Sequence, residues 1–212
     1  MEVLDATCGS RMMWFDKQDD RTLYFDKRNE VHPIAPNRGW PKGTSIKIKP
    51  SVVGDFSFMP FIDDCFNLVF FDPPHIQDMG QGLRKNGIIA KRYGLLFAGW
   101  EQVLSEGFKE CFRVLRPNGV LLFKWCEIEI PLKKVLSLTN VKPLIAQAQG
   151  KKMGTHWIVF MKPNKPFHWG GLMTDYKKLA QQALTEPNPK KALELYEKAQ
   201  EAVKEEEKIS CE

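Results

Sequence analysis

The run Phe66-Asn67-Leu68-Val69-Phe70-Phe71 breaks off at Asp72-Pro73-Pro74-His75, and this junction constrains the fold more than any other stretch of the chain. Five of its six residues are apolar and they do not alternate with polar ones, which is the pattern of a strand buried on both faces. Each proline lacks a backbone N–H and has φ fixed near −65°. Pro73 also drives Asp72 out of the helical region. The chain therefore leaves the sheet as a stiff, extended spur carrying a carboxylate, bare carbonyls and a flat ring. Such a spur suits a flat molecule that offers an amino group.

Strand and helix patterns alternate on either side of that junction over the first 160 residues. Glu2 to Ala6 reads as a short strand ending at Asp5, followed by the small-residue turn Thr7-Cys8-Gly9-Ser10 and a helix over Arg11 to Asp16. Thr22 to Phe25 is a second strand, ending at Asp26. Arg28 to Gly43 carries three prolines and two glycines and is expected to be loop-rich. Ser45 to Lys49 alternates like a half-exposed strand, and Val52-Val53 leads into Asp55-Phe56. Leu96, Trp100, Val103, Leu104, Phe108, Cys111, Phe112 and Leu115 recur every three to four residues, so a long amphipathic helix is expected there. Arg116-Pro117-Asn118-Gly119 ends it, and Val120 to Trp125, Val141 to Ala146 and Thr155 to Met161 supply further strands.

These elements predict an α/β, Rossmann-like three-layer sandwich with a mostly parallel seven-stranded sheet over residues 1–162. A linker over 163–173 and a helical C-terminal hairpin over 174–212 are expected beyond it. In the second of those helices Ala192, Leu195, Tyr196, Ala199 and Val203 form one apolar stripe, which calls for the domain, a second copy or another partner to cover it. The stretch from Glu186 to Glu212 holds eight Glu against five Lys, a local charge of −3 in a chain of +5, so the body carries +8. A basic body of this kind suits a polyanionic partner. The five cysteines are odd in number and none pairs as C-x-x-C, so neither a zinc site nor a disulfide framework is expected. Reduced thiols fit a cytoplasmic setting. No apolar run is long enough to span a bilayer, and acidic Glu2 and Asp5 stand where a signal peptide would be basic.

Acidic residues end the strands where an open α/β sheet binds its ligands. Asp26 is placed to accept the hydroxyls of a ribose. Gly9 lets backbone approach a ligand with no Cβ in the way. Asp55-Phe56 suits an adenine, the carboxylate taking the amino group while the ring packs on the base.

The order Asp5…Gly9, Asp26, Asp55-Phe56, Asp72-Pro73-Pro74-His75 and Arg116-Pro117-Asn118-Gly119 resembles class I S-adenosylmethionine-dependent methyltransferases over roughly residues 1–162. Asp-Pro-Pro-His resembles the catalytic motif of the amino-methyltransferases, which modify exocyclic amines of nucleobases. The resemblance implies S-adenosylmethionine as cofactor, held by Asp5, Ala6, Thr7, Cys8, Gly9, Asp26, Asp55, Phe56 and Asp72. It also implies catalysis by Asp72, Pro73, Pro74 and His75, with no metal. Two departures stand out. Thr7 and Arg11 occupy positions where that family commonly has glycine, and the family's usual N-terminal helix is absent ahead of the first strand.

The implied chemistry follows from a poor nucleophile. The amine lone pair of adenine or cytosine is delocalised into the ring. Asp72 and the Pro73 carbonyl would accept its N–H bonds and stabilise the positive charge that grows as methyl arrives, while His75 stacks on the base. A base inside a duplex must be flipped out to reach such a site. Arg84, Lys85, Lys91 and Arg92 lie in the glycine-rich segment after the motif and are the candidate phosphate contacts. N6-adenine in DNA is the leading expectation. RNA or N4-cytosine, or a non-catalytic fold that binds nucleic acid or a partner, are the alternatives.

Overall fold

The computed structural model describes residues 2–36, 39–77, 87–149 and 154–164, together with Gln182, Lys191, Glu194, Leu195 and Lys198. The chain divides into two units, 1–59 with 63–164, and 60–62 with 165–212. In the second unit those five single residues are helical. Residues 165–173 of the expected linker and the rest of the C-terminal hairpin lie outside the described residues, as do Arg84 and Lys85.

The first unit is built in the order β1 (Val3–Asp5), β2 (Thr22–Asp26), β3 (Glu30–Pro33), β4 (Ser45–Ile48), β5 (Val52–Val53), β6 (Phe66–Phe71), α1 (Ile88–Tyr93), α2 (Trp100–Val114), β7 (Leu115–Cys126), α3 (Leu132–Leu136), β8 (Ile145–Gln149) and β9 (Thr155–Met161). Seven strands form one sheet in the order β5-β2-β1-β6-β7-β9-β8. β5, β2, β1, β6 and β7 run parallel, while β9 is antiparallel to both β7 and β8. The expectation of an α/β fold with a mostly parallel seven-stranded sheet is met. The chain reverses its order on the two sides of β1, so the carboxyl ends of β1, β2 and β6 meet at a topological switch point.

The apolar run before Asp72 is β6, paired with β1 on one side and β7 on the other. Phe71 turns into the core and meets Phe56, Phe108 and Phe123 with ring centroids 5.1, 5.7 and 5.8 Å away. Helix α2 packs on β6 and β7. Its Leu104, Phe108 and Cys111 are fully buried, as the three-to-four-residue spacing requires. Gly107 of α2 exists because of Phe56: a Cβ there would lie 2.7 Å from Phe56 Cδ2. Glu110 is buried and accepts from Arg113 twice, at 2.7 Å each, and from the Met59 N–H at 2.8 Å.

Four local expectations need correction. No helix forms over Arg11 to Asp16, because Gly9 and Arg11 both sit in left-handed backbone, φ 49° and 55°. The Arg11 guanidinium then ties the turn down, donating to the Lys17 and Lys49 carbonyls at 2.7 Å each and lying 3.6 Å over the Tyr24 ring. The segment expected as loop contains β3, which pairs with β4 in a separate antiparallel hairpin. Helix α2 begins at Trp100 rather than Leu96, since Gly99 adopts φ 79° ahead of it. The strand expected over Val141 to Ala146 is shifted to Ile145–Gln149.

Candidate functional site

The turn after β1, the ends of β2 and β6, and α1 surround a cavity of about 310 Å³. Asp5, Ala6, Thr7, Cys8 and Gly9 line one side of it. Asp26, Phe56, Asp72 and Pro74 line it as well. From α1 and the residues after it come Arg92, Tyr93 and Phe97. Most of the cofactor-binding set expected from sequence is thus gathered in one wall. Pro73, His75, Asp55 and Lys91 are not part of that wall.

Parallel pairing brings the acidic ends together, since Asp5 is opposite Tyr24 on β2 and Phe70 on β6. Asp5 is buried, accepts from Trp14 Nε1 at 2.6 Å and from the Thr7 N–H at 3.3 Å, and its carboxyl is pushed up to about 7 by burial. Its neighbour Cys8 is pushed up too, again chiefly by burial, and stays a thiol.

Asp26 is saturated. Its Oδ1 accepts from the Arg28 N–H at 2.9 Å and Nε at 3.1 Å, and its Oδ2 accepts from the Gly9 N–H at 2.9 Å and Arg28 Nη2 at 3.2 Å. Those four bonds use the lone-pair positions a carboxylate offers. Arg28 Nη1 also reaches the Lys91 carbonyl of α1, at 3.3 Å. Gly9 is required by its φ of 49° rather than by crowding, since an added Cβ would find its nearest neighbour, the Arg92 carbonyl, at 3.6 Å.

Thr7 has a use that glycine would lack, because its Oγ accepts the Asp72 N–H at 2.9 Å. This bond joins the first turn to the Asp-Pro-Pro spur. Asp72 Oδ2 accepts from Lys124 Nζ at 2.7 Å, both side chains being largely buried. Burial raises the Asp72 carboxyl, and the Lys124 ammonium works against that rise. The spur also meets α1, whose following Gly94 has φ 79° and would place a Cβ 3.1 Å from Pro74 Cγ.

His75 is buried between Tyr93 and Trp125, with ring centroids 5.8 and 6.1 Å away. Its Nδ1 has no hydrogen-bond partner among the described residues, and burial lowers its pKa, so the ring is neutral at pH 7. It does not face the cavity; Tyr93 does. Asp55 accepts from Ser57 N and Oγ at 2.9 and 2.8 Å, outside the wall, while Phe56 of the pair lines it. Arg92 is in the wall and lies 5.3 Å over the Trp40 ring, and Lys91 turns its carbonyl to Arg28. No metal-binding cluster occurs among the described residues, and no helix among them is long and apolar enough to cross a membrane.

Arg28, Trp14, Tyr93 and Lys124 were not among the residues expected from sequence. Two of them left a signal. Lys124 is a lone cation in the otherwise apolar run Val120 to Trp125, and Arg28 follows Asp26 at the two-residue spacing that favours a local clamp. Tyr93 and Trp14 left none, because Tyr93 enters from a short helix and Trp14 from a turn.

No protein-family model matches the chain, and no curated protein matches it. Among solved structures, the PH0226 protein of Pyrococcus horikoshii is similar at 15% identity with a TM-score of 0.47, covering 76% of this chain and 81% of that one. A TehB-like SAM-dependent methyltransferase of Corynebacterium glutamicum is similar at 13% identity and a TM-score of 0.44, over 76% of this chain and 79% of that one. An rRNA methylase of Streptococcus thermophilus is similar at 10% identity and 0.41, over 76% and 87%. Similarities this distant bear on neither substrate nor mechanism, which rest on the residues of the cavity.

Proposed function

We propose that this chain is an S-adenosylmethionine-dependent methyltransferase acting on an exocyclic amine of a nucleobase in nucleic acid, N6 of adenine in DNA first. The observation that carries the reading is the position of Asp72 and Pro74. They stand at the end of a central strand, in the wall of a cavity shared with the turn after β1 and with Asp26.

The cavity suits the cofactor in its lining: carboxylates at the ends of β1 and β2, a backbone turn at Gly9, and the Phe56 ring. One exchange is needed. Ribose hydroxyls would replace the Arg28 guanidinium on Asp26, which has no acceptor position left while that clamp is closed. Once bound, S-adenosylmethionine supplies a sulfonium methyl, so that an N–C bond forms as the C–S bond breaks and its electrons neutralise the sulfur. The protein's own work lies on the amine side. Asp72, ionised, accepts an N–H of the target and stabilises the positive charge developing on nitrogen; Pro73, outside the wall, does not share that role. The Tyr93 ring, in the wall beside His75, is the better-placed stacking surface for the base. The spare proton of the methylated amine leaves to water. Arg92, in the cavity wall, and Lys91, beside it on α1 but outside the wall, are the candidates for phosphate contact.

The test is methyl transfer from labelled cofactor to DNA and to RNA, followed by nucleoside digestion and mass spectrometry. N6-methyladenine formed in DNA is the expected product. N4-methylcytosine or a methylated RNA nucleoside would revise the substrate, and absence of any methylated nucleoside would sink the reading. A second reading, a nucleic-acid- or partner-binding module without transfer, is favoured by the two ion pairs that occupy Asp26 and Asp72. Calorimetry separates the two: failure to bind S-adenosylmethionine supports the second.

A further inference from the structure

Lys124 stands where a sheet has little use for a cation. It lies on β7 between Phe123 and Trp125, both fully buried, and the next residues on its own face are Leu122 and Cys126. β6 and β7 are parallel neighbours in which Phe71 is opposite Phe123, so Asp72 and Lys124 are the next pair along the two strands. The Nζ to Oδ2 distance is 2.7 Å, and the two side chains are only 14% and 11% exposed. Stability gives no reason for such a pair. Desolvating two charges costs several kcal/mol each, and an apolar pair of similar volume generally serves a fold as well or better.

The groups facing Asp72 come from three elements. Asp5 on β1 repels its charge, and His75 lies three residues on along the same spur. Lys124 on β7 is the cation at hydrogen-bond distance. Thr7 fixes the backbone of Asp72 from the other side. Among the described residues, Oδ2 is anchored by Lys124 and Oδ1 has no hydrogen-bond partner. One oxygen is thus held and the other left available.

We propose that Lys124 is a positioning residue for the transfer reaction: it fixes one oxygen of Asp72 and keeps the carboxylate ionised, leaving the other oxygen to accept the target amine. This rests on the methyltransferase reading above. Lys124 touches neither the base nor the methyl group and acts only through Asp72. Without it, burial would push the Asp72 carboxyl up with no ammonium to oppose the rise, towards the protonated form. A protonated carboxyl offers a donor where the amine needs an acceptor.

Lys124→Met removes the ammonium and keeps the volume and the apolar surroundings. Its expected effect is a fall in kcat of about ten-fold or more at neutral pH. The acid limb of the pH–rate profile should move up by about one unit or more, the KM for cofactor staying within about two-fold. Lys124→Arg should restore the limb. A limb that stays in place while kcat falls equally at every pH would overturn the proposal, as would an unchanged kcat. The companion measurement needs no turnover: NMR titration of the isotope-labelled Asp72 carboxyl in wild type and in both variants. The carboxyl should titrate at higher pH in Lys124→Met and near wild type in Lys124→Arg. An unmoved titration overturns the proposal, even in a protein that transfers no methyl to any acceptor. If Lys124→Met fails to fold, the same titration in Lys124→Gln decides, since Gln can hold the oxygen but carries no charge.

Discussion

The four bonds closed on Asp26 make Arg28 the residue whose removal is most informative. Arg28→Ala leaves a buried carboxylate with two backbone donors, the N–H groups of Gly9 and of residue 28, and no cation. Breaking a buried pair typically costs about 3–5 kcal/mol, so the ligand-free protein should melt earlier. The same change frees acceptor positions for a ribose, and the melting shift produced by S-adenosylmethionine should grow relative to wild type. Asp26→Ala should do the reverse, weakening cofactor binding by about 1.5–3 kcal/mol, the range for a hydrogen bond to a charged group. Differential scanning fluorimetry and calorimetry on the two variants read both effects. Equal ligand-induced shifts in wild type and Arg28→Ala would mean that Asp26 never gives up its clamp. Asp72→Ala tests the other half of the site. Transfer should drop by about two to three orders of magnitude, as when one preorganised polar group is taken from a transition state. Cofactor affinity should stay near wild type, because Asp26 and the Gly9 turn remain intact.

At the scale of elements, the sheet was readable and the turns were not. An unbroken apolar run such as Val69-Phe70-Phe71 leaves the chain no other place than a sheet interior, and Leu104, Phe108 and Cys111 fix which face of α2 is buried. Arg11 misled the reading because nothing in its neighbours announces a left-handed φ, and its guanidinium is satisfied by carbonyls as distant as Lys49. The cavity wall followed the same division. Asp5, Asp26 and Asp72 end strands and could be found, whereas Tyr93 arrives from a short helix whose position depends on Gly94 fitting against Pro74. Gly107 shows what one missing Cβ does for an element. Alanine would add up to about 1 kcal/mol of helix propensity. The methyl would press on Phe56 at 2.7 Å and Phe71 at 3.0 Å, however, and overpacking of this kind costs about 1–3 kcal/mol. Gly107→Ala should therefore lower the unfolding free energy by a net of about 1 kcal/mol, read as a lower urea midpoint, and it should weaken cofactor binding by pushing Phe56 into the cavity. An unchanged or higher midpoint would show that the two rings give way freely.

For the whole molecule, Asp5 sets a pH dependence of stability. Its carboxyl is pushed up to about 7 from an ordinary 3.8, so the folded chain binds that proton more tightly than the unfolded chain between those values. Stability from this group is fully present at low pH, declines as pH rises through that window, and is gone above it, a loss of about 4 kcal/mol at most. Asp5→Asn keeps an oxygen for the Trp14 N–H and carries no charge. It should be more stable than wild type at about pH 8 and equal to it at about pH 4, as read by urea unfolding at each pH. A constant gap across that range would mean that the Asp5 carboxyl does not titrate there.

The place of β1 in the middle of the sheet has a consequence for vectorial synthesis. Val3 pairs with Thr22 on one side and with Leu68 on the other, so β1, made before both of its neighbours, completes its second ladder only after a long wait. Until β6 emerges, one edge of β1 stays open and its apolar Leu4 has no finished core to enter. A ribosome that paused before β6 would therefore display an unsealed strand edge, and a chaperone acting on this nascent chain would find its substrate at β1.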